Sequence, residues 1–404
     1  MNAGETSFEN YFHRHINYAI SILEHYDGRE PFHLYLKKYF SQNKKHGSKD
    51  RKQIAALCYN YFRVGKAVSS SVGVKEKLLL ASFLILKKTS SILEKLKPQW
   101  NEKTGLDLSE KMEMISDIFS LEKLFPFKNE LSDEIDFYQF SLSFLIQPKL
   151  FIRIRPGNKN AVFDKLKDGD IPFEKVGENC LAFSNTEKVS DIIAIDKEAV
   201  IQDFNSQRTL NLFASHIAHY TSKISLWDCC AASGGKSILA FDLLKNIELT
   251  VSDTRKNILE NLKKRFAKAG IKNYHSFVAD LSVLPPSEEV RGRPDWIIAD
   301  VPCSGSGTWS RTPEQLLFFD KEKIEEYSML QKKIVSNAVK NLKEDGLLLY
   351  ITCSVFKKEN EENVLFLQKD MELELLKATY FKGYQIQADT LFAALFKKKV
   401  RNKL

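Results

Sequence analysis

ISLWDCCAASGGKS, residues 224–237, runs from an apolar stretch into a turn of small residues and out towards a helix. The apolar, β-prone character of 224–228 predicts a strand. The glycines that follow predict a tight turn that lets a ligand approach free backbone N–H groups at a helix start. Its GGKS ending invites a phosphate-loop reading, but the pattern G-x-x-x-x-G-K-[ST] needs glycine where Cys230 stands. No Mg²⁺-binding partner is evident either, so nucleoside triphosphate hydrolysis is set aside.

Downstream, strands are predicted at 248–253, 276–280, 295–300 and 347–353. Helices fill the gaps, among them 257–269, stopped at Gly270, and a long one over 314–342, stopped near Gly346. Such alternation predicts an α/β fold: a doubly wound, mostly parallel sheet with ligands at the carboxyl ends of its strands. Asp253 follows Gly235 by 18 residues, close to the spacing expected of an acid that holds the ribose of an adenosine-type cofactor. Asp280 and Asp300 are expected to close two further strands, Asp280 towards an adenine edge. ADVPCSGSGTW (299–309) and YITCS (350–354) place Cys303 and Cys353 in the same zone, each after an apolar run. These residues alone do not decide which sulfur attacks.

Upstream the texture differs. Residues 1–140 carry long helical periodicities, as in RKQIAALCYNYFRVGKAV (51–68), and few glycines. Residues 141–205 read as a small α+β unit, with a strand at 150–155 and a turn at Pro156 and Gly157. The α/β domain is expected over 206–404.

Composition bounds the function. With 43% apolar and 28% charged residues the chain of 404 is globular, and 60 Lys+Arg against 52 Asp+Glu leave a net charge of +8. The basic residues clump at Lys37, Lys38, Lys44, Lys45, Lys49, Arg51 and Lys52 and in the tail KKKVRNKL, a pattern suited to phosphates. The longest apolar run, LLLASFLIL (78–86), is far short of the ~20 residues of a membrane span, and the start lacks the order of a secretory leader. A cytoplasmic protein with no membrane contact is expected. Six scattered cysteines are expected as reduced thiols, and no metal is expected, because no C-x-x-C occurs and His216 and His219 lack further ligands nearby.

Three segments carry a family likeness: DCCAASGGKS (228–237), DVPCSGSGTWSRTPE (300–314) and YITCSVFKKENEEN (350–363). In that order they resemble the Sun-type RNA cytosine-5 methyltransferases. QDFNSQ (202–207) is similar to a segment that family places before its catalytic domain, and DRKQIAALCYNYFRVG (50–65) looks like the helical, antitermination-factor-like RNA-binding domain of its bacterial small-subunit rRNA members. Ser233 stands where the family usually has proline, Ser310 where an arginine is common, and ADTLFAALF (388–396) departs from the usual C-terminal motif.

The resemblance implies a Rossmann-like domain that takes S-adenosyl-L-methionine and modifies RNA, 16S rRNA first among the substrates, as a monomer. It implies that Cys353 is the nucleophile at C6 of cytosine and that Cys303 assists product release, the reverse of the DNA enzymes, whose Pro-Cys thiol attacks. Cofactor contacts would fall to Cys230, Ala231, Ala232, Ser233, Gly234, Gly235, Lys236, Asp253 and Asp280, with Asp300 at the polar edge of the base. A free thiol has a pKa of ~8.5, so the attacking one needs nearby positive charge, for which Lys236 and the amides after Cys353 are candidates. A tRNA or 23S rRNA enzyme, or a non-catalytic ribosome-assembly factor, are the alternatives.

Overall fold

The computed structural model describes residues 3–217, 223–244, 246–283, 289–290 and 292–400; His219 and the last four residues of the basic tail lie outside these. The chain forms two compact units. One is Met1–Asn129 with Asp136–Gln147 and Trp309–Asp320; the other is Glu130–Ile135 with Pro148–Thr308 and Lys321–Leu404. No helix among the described residues is long and apolar enough to cross a membrane.

The first unit is helical, built on Ala3–His25, Phe32–Gln42, Ser48–Arg63 and Val74–Ile85. The helical periodicity buries Ile16, Ile54, Phe62, Leu80 and Phe83. Its unexpected member is 309–320. Trp309 packs against Phe125, Phe127 and Phe319, Phe318 against Tyr26 and Phe62, and a Glu314 carboxylate oxygen accepts from the Phe32 N–H at 3.2 Å. The helix expected over 314–342 is therefore two, Gln315–Phe318 and Glu322–Val339. The break falls at Phe319, whose backbone turns extended (φ −70°, ψ 130°) while its ring is held by Trp309 and Phe127.

The second unit holds two sheets. Strands β1 (Leu150–Ile154), β2 (Glu174–Lys175), β3 (Cys180–Phe183) and β4 (Ala199–Ile201) pair antiparallel in the order β2-β3-β1-β4. The larger sheet comprises β5 (Ile224–Asp228), β6 (Ile247–Asp253), β7 (Tyr274–Val278), β8 (Trp296–Asp300), β9 (Leu347–Thr352), β10 (Leu373–Phe381) and β11 (Leu391–Lys398). Its order is β10-β11-β9-β8-β5-β6-β7; β5 to β9 are parallel, while β10 and β11 run antiparallel. This is the expected Rossmann-like α/β architecture, with two closing strands added. The strand direction of travel reverses between β5 and β8, the switch point where doubly wound sheets bind ligands.

One sheet face buries Leu226, Val251, Ile298, Leu349, Ile351 and Ala393, with Phe213 stacked on Trp296 at 4.4 Å. Buried ion pairs tie the small sheet to the helix Gly235–Leu243: Arg153 of β1 and Arg155 just past its end reach Asp242 at 2.6 and 2.8 Å. That helix is the one whose start forms the glycine turn.

Candidate active site

The turn after β5 needs a backbone that only small residues reach. Ala232 and Gly234 have φ of +45° and +82°, and a Cβ on Gly234 would lie 2.8 Å from the Phe266 ring. Nothing lies within 4 Å of the Cβ position of Gly235. Ala231 is buried and its N–H donates to the Ser252 carbonyl, while the Ala232 N–H donates to an Asp253 carboxylate oxygen at 3.0 Å. Ser233, which replaces the family's proline, is held instead by Arg265, whose guanidinium donates to its carbonyl and hydroxyl at 2.9 Å and pairs with Asp196.

A cavity of about 310 Å³ opens beside this turn. Cys229, Cys230, Ala232, Asp253, Asp300, Cys303 and Cys353 reach it from the ends of β5, β6, β8 and β9. Ala231, Ser233, Gly234, Gly235 and Lys236 complete the turn and the first residues of the helix without lining it. Cys230 is kept protonated by its hydrogen bond with Cys229 and by burial. Asp253 is held below the ordinary carboxylate range: burial opposes this, but Arg255 donates to it from side chain and backbone.

Asp280 is placed differently from the rest. β7 ends at Val278, two residues earlier than the periodicity predicts, and the exposed Asp280 carboxylate accepts from the backbone and hydroxyl of Ser282. Its neighbours Ala279 and Leu281 line the cavity instead.

At the opposite wall, Asp300 Oδ2 accepts from Lys236 Nζ at 2.6 Å. Burial works against the ammonium, yet Asp300, Cys353 and Asp228 together raise its pKa. Cys303 Sγ and Cys353 Sγ are 3.2 Å apart, both half-buried, and the Cys353 N–H donates to Cys303 Sγ. The hydrogen bond with Cys353 and then burial push the Cys303 thiol well up. Of the two expected sources of positive charge, only Lys236 remains. The amides after Cys353 are spent on hydroxyls: Ser354 N–H on Thr352, Val355 N–H on Ser306, Phe356 N–H on Ser354.

Sequence reasoning missed the residue that locks the two cysteine loops together. Glu359, fully buried, accepts from the Ser304 N–H at 2.9 Å, the Ser354 hydroxyl at 2.6 Å and the Gln331 amide at 2.8 Å. Burial raises its pKa against those three donors. Gly307 makes a second lock, donating to the Cys353 carbonyl at 2.8 Å and accepting from the Thr390 N–H at 2.9 Å. Arg255 was missed too; an arginine two residues past the strand-end acid was the available signal.

The 16S rRNA methyltransferase RsmB/F family model matches residues 219–399. Ribosomal RNA small subunit methyltransferase B of Shewanella oneidensis is 29% identical over 45% of this chain and 41% of that protein. The tRNA (cytosine(72)-C(5))-methyltransferase NSUN6 of Homo sapiens is 30% identical over 39% of this chain and 35% of that protein. The chain thus spans about two fifths of the length of these relatives. Among solved structures, PH0851 superposes with a TM-score of 0.67 at 20% identity over 91% of this chain and 95% of that one. NSun6 from Pyrococcus horikoshii with SFG superposes with a TM-score of 0.57 at 17% identity over 68% and 97%. At these identities the superpositions speak for the fold. Three motifs in family order, a family model matched over residues 219–399, and relatives named for rRNA methylation and for tRNA cytosine-5 methylation agree that this part of the chain is similar to the Sun-type RNA cytosine-5 methyltransferases.

Proposed function

We propose that this protein is an S-adenosyl-L-methionine-dependent RNA cytosine-5 methyltransferase acting on 16S rRNA, with Cys353 as nucleophile, and that residues 1–140 and 141–205 grip the RNA. The observation that carries the reading is the pair of sulfurs 3.2 Å apart on the wall of a cavity that begins at a glycine turn. Those residues fit the cofactor. The acid at the end of β6 suits ribose hydroxyls, and about 310 Å³ lies within the range of small-molecule sites. Asp253 and the backbone of 229–235 would hold the cofactor, which supplies the methyl group when bound.

The remaining steps fall to the chain. A cytosine flipped out of its stack places C6 at Cys353 Sγ, and Asp300 holds the polar edge of the ring. Lys236 supplies positive charge on the Cys353 side of the pair, while Cys303 retains its own proton. Bonding of Sγ to C6 makes C5 nucleophilic, splitting one difficult step into two. After C5 is methylated, Cys303, which releases its own proton to solvent once Cys353 is bonded to carbon, takes the C5 proton as a thiolate, and the C6–Sγ bond breaks by elimination, restoring aromaticity.

A Cys303→Ala enzyme is expected to stay covalently trapped on RNA in the presence of the cofactor, and Cys353→Ala to form no adduct; denaturing gels with labelled RNA read both. The reverse pattern overturns the roles. Absence of labelled-methyl transfer to RNA by the wild-type enzyme would favour the assembly-factor alternative, and bisulfite sequencing of RNA with and without the protein identifies the cytidine.

A further inference from the structure

QDFNSQ (202–207) holds no residue of the cavity described above, yet it builds a second one. Asn205, buried, donates through its amide to the carbonyls of Phe381 and Asp389 at 3.0 and 2.8 Å. This fixes the short helix Phe204–Arg208 against the end of β10. The Arg208 guanidinium then lies over two rings, 5.2 Å from the Phe204 centroid and 5.4 Å from that of Phe381, and donates to Asn205 Oδ1 at 3.3 Å. Beside it is a cavity of about 430 Å³, with Lys377, Lys382, Thr379, Asn211 and Gln385 also on its wall.

Three cations converge here, and among the described residues none of them has a carboxylate partner. An arginine flattened between rings is pre-organised to present its remaining N–H groups to a phosphate. The position matters as much as the charge. Phe381 pairs with Leu391 at the start of β11, and Phe392 pairs with Thr352, the residue before Cys353. Phe381 and Cys353 pack on the same face of the sheet. Two strand spacings of ~4.8 Å put the backbone of Phe381, on the wall of this cavity, roughly 10 Å from that of Cys353, at the same end of the sheet.

We infer that Arg208, Lys377 and Lys382 form a subsite for the RNA backbone phosphates that flank the target cytidine. The inference rests on the proposed RNA methyltransferase reading, which supplies the polyanion. The lysines neutralise phosphate charge and release counterions; Arg208 fixes the register of the strand.

The test uses the full chain and a short single-stranded RNA with one cytidine, its affinity measured by fluorescence anisotropy between about 50 and 200 mM KCl. Each phosphate lost from a single strand reduces the log–log salt slope by ~0.7, so Lys377→Gln/Lys382→Gln should be shallower by ~1.4. Over that fourfold range the double variant loses about sevenfold less affinity than wild type. In methyl transfer its KM rises with kcat unchanged, and its affinity for S-adenosyl-L-methionine is unaltered. Gln385→Lys, which adds a cation to the same wall, should steepen the slope by ~0.7, an effect misfolding cannot mimic. Wild-type slope and KM in the double variant would overturn the subsite. A wild-type enzyme that transfers no methyl to RNA, beside a slope that still changes in the variants, would overturn the proposed activity and leave the subsite standing.

Discussion

Replacing Asp228 with asparagine isolates one carboxylate at the head of the glycine turn. Asp228 is 1% exposed; Oδ2 accepts the Ser237 hydroxyl at 2.6 Å, and Oδ1 has no hydrogen-bond partner among the described residues. Burial pushes its pKa from 3.8 up to about 7; the Ser237 hydrogen bond opposes the shift and the nearby Asp300 adds to it. The folded protein therefore keeps a proton that the unfolded chain has already released. Stability falls as pH rises between those two values, by about 1.4 kcal/mol per pH unit, and about 4 kcal/mol is lost once pH exceeds 7. Asparagine carries no charge, but its Nδ2 in place of Oδ1 finds no acceptor, which costs about 1–3 kcal/mol at every pH. Asp228→Asn should thus be the less stable protein near pH 4 and the equal or more stable one at pH 8. Between pH 5 and pH 8 the gap should move by about 3 kcal/mol in favour of the variant. Urea unfolding of both proteins at four pH values across that range measures it, and pH effects common to both cancel in the difference. A gap that stays constant within about 0.5 kcal/mol would show that Asp228 is already ionised in the folded protein at pH 5, and the argument from burial would fail.

Two further substitutions probe the locks between the cysteine loops. A methyl group on Gly307 would lie 2.0 Å from the Thr390 carbonyl oxygen and 3.0 Å from that of Cys353. Gly307→Ala should therefore cost at least 1–3 kcal/mol and abolish most methyl transfer by shifting Cys353; unchanged melting and turnover would refute the close approach. Glu359→Ala strands three buried donors and should cost about 3–5 kcal/mol, whereas Glu359→Gln keeps an acceptor for the Ser304 and Gln331 N–H groups and should cost less than about 2. Equal losses in denaturant unfolding would mean that the carboxylate does not serve as the acceptor.

The parallel strands were legible because their burial is written locally: a strand covered on both faces must be a short apolar run, and β5, β8 and β9 are. The glycine turn was legible because few residue types adopt its backbone. The end of β7 was placed two residues late for a local reason as well, since its half-buried run gives little signal of where pairing with β6 stops. Glu359 could not be read at all. In KKENEEN (357–363) it is one acid among several, and only the approach of Ser304, 55 residues away, sets it apart. The split of 314–342 has the same origin: helical periodicity continues through Phe318 and Phe319, and what breaks it is the aromatic cluster of the helical unit into which those rings fold.

The closeness of the two thiols orders the chemistry under the proposed roles. Sulfurs 3.2 Å apart cannot both be anions when the neighbouring cation Lys236 is already paired with Asp300. The pair therefore ionises once, and a proton lost from Cys353 makes Cys303 harder to ionise, since its S–H then has a full anion to donate to. Bonding of Cys353 Sγ to carbon ends that condition: the thioether carries no charge and is a poor acceptor, so the largest influence holding the Cys303 proton disappears. Cys303 becomes able to act as a base only after the nucleophile is engaged, and only then is there a C5 proton to remove. A serine at 303 would not make that change, because its hydroxyl does not ionise near neutral pH, whether or not Cys353 is bonded to the base.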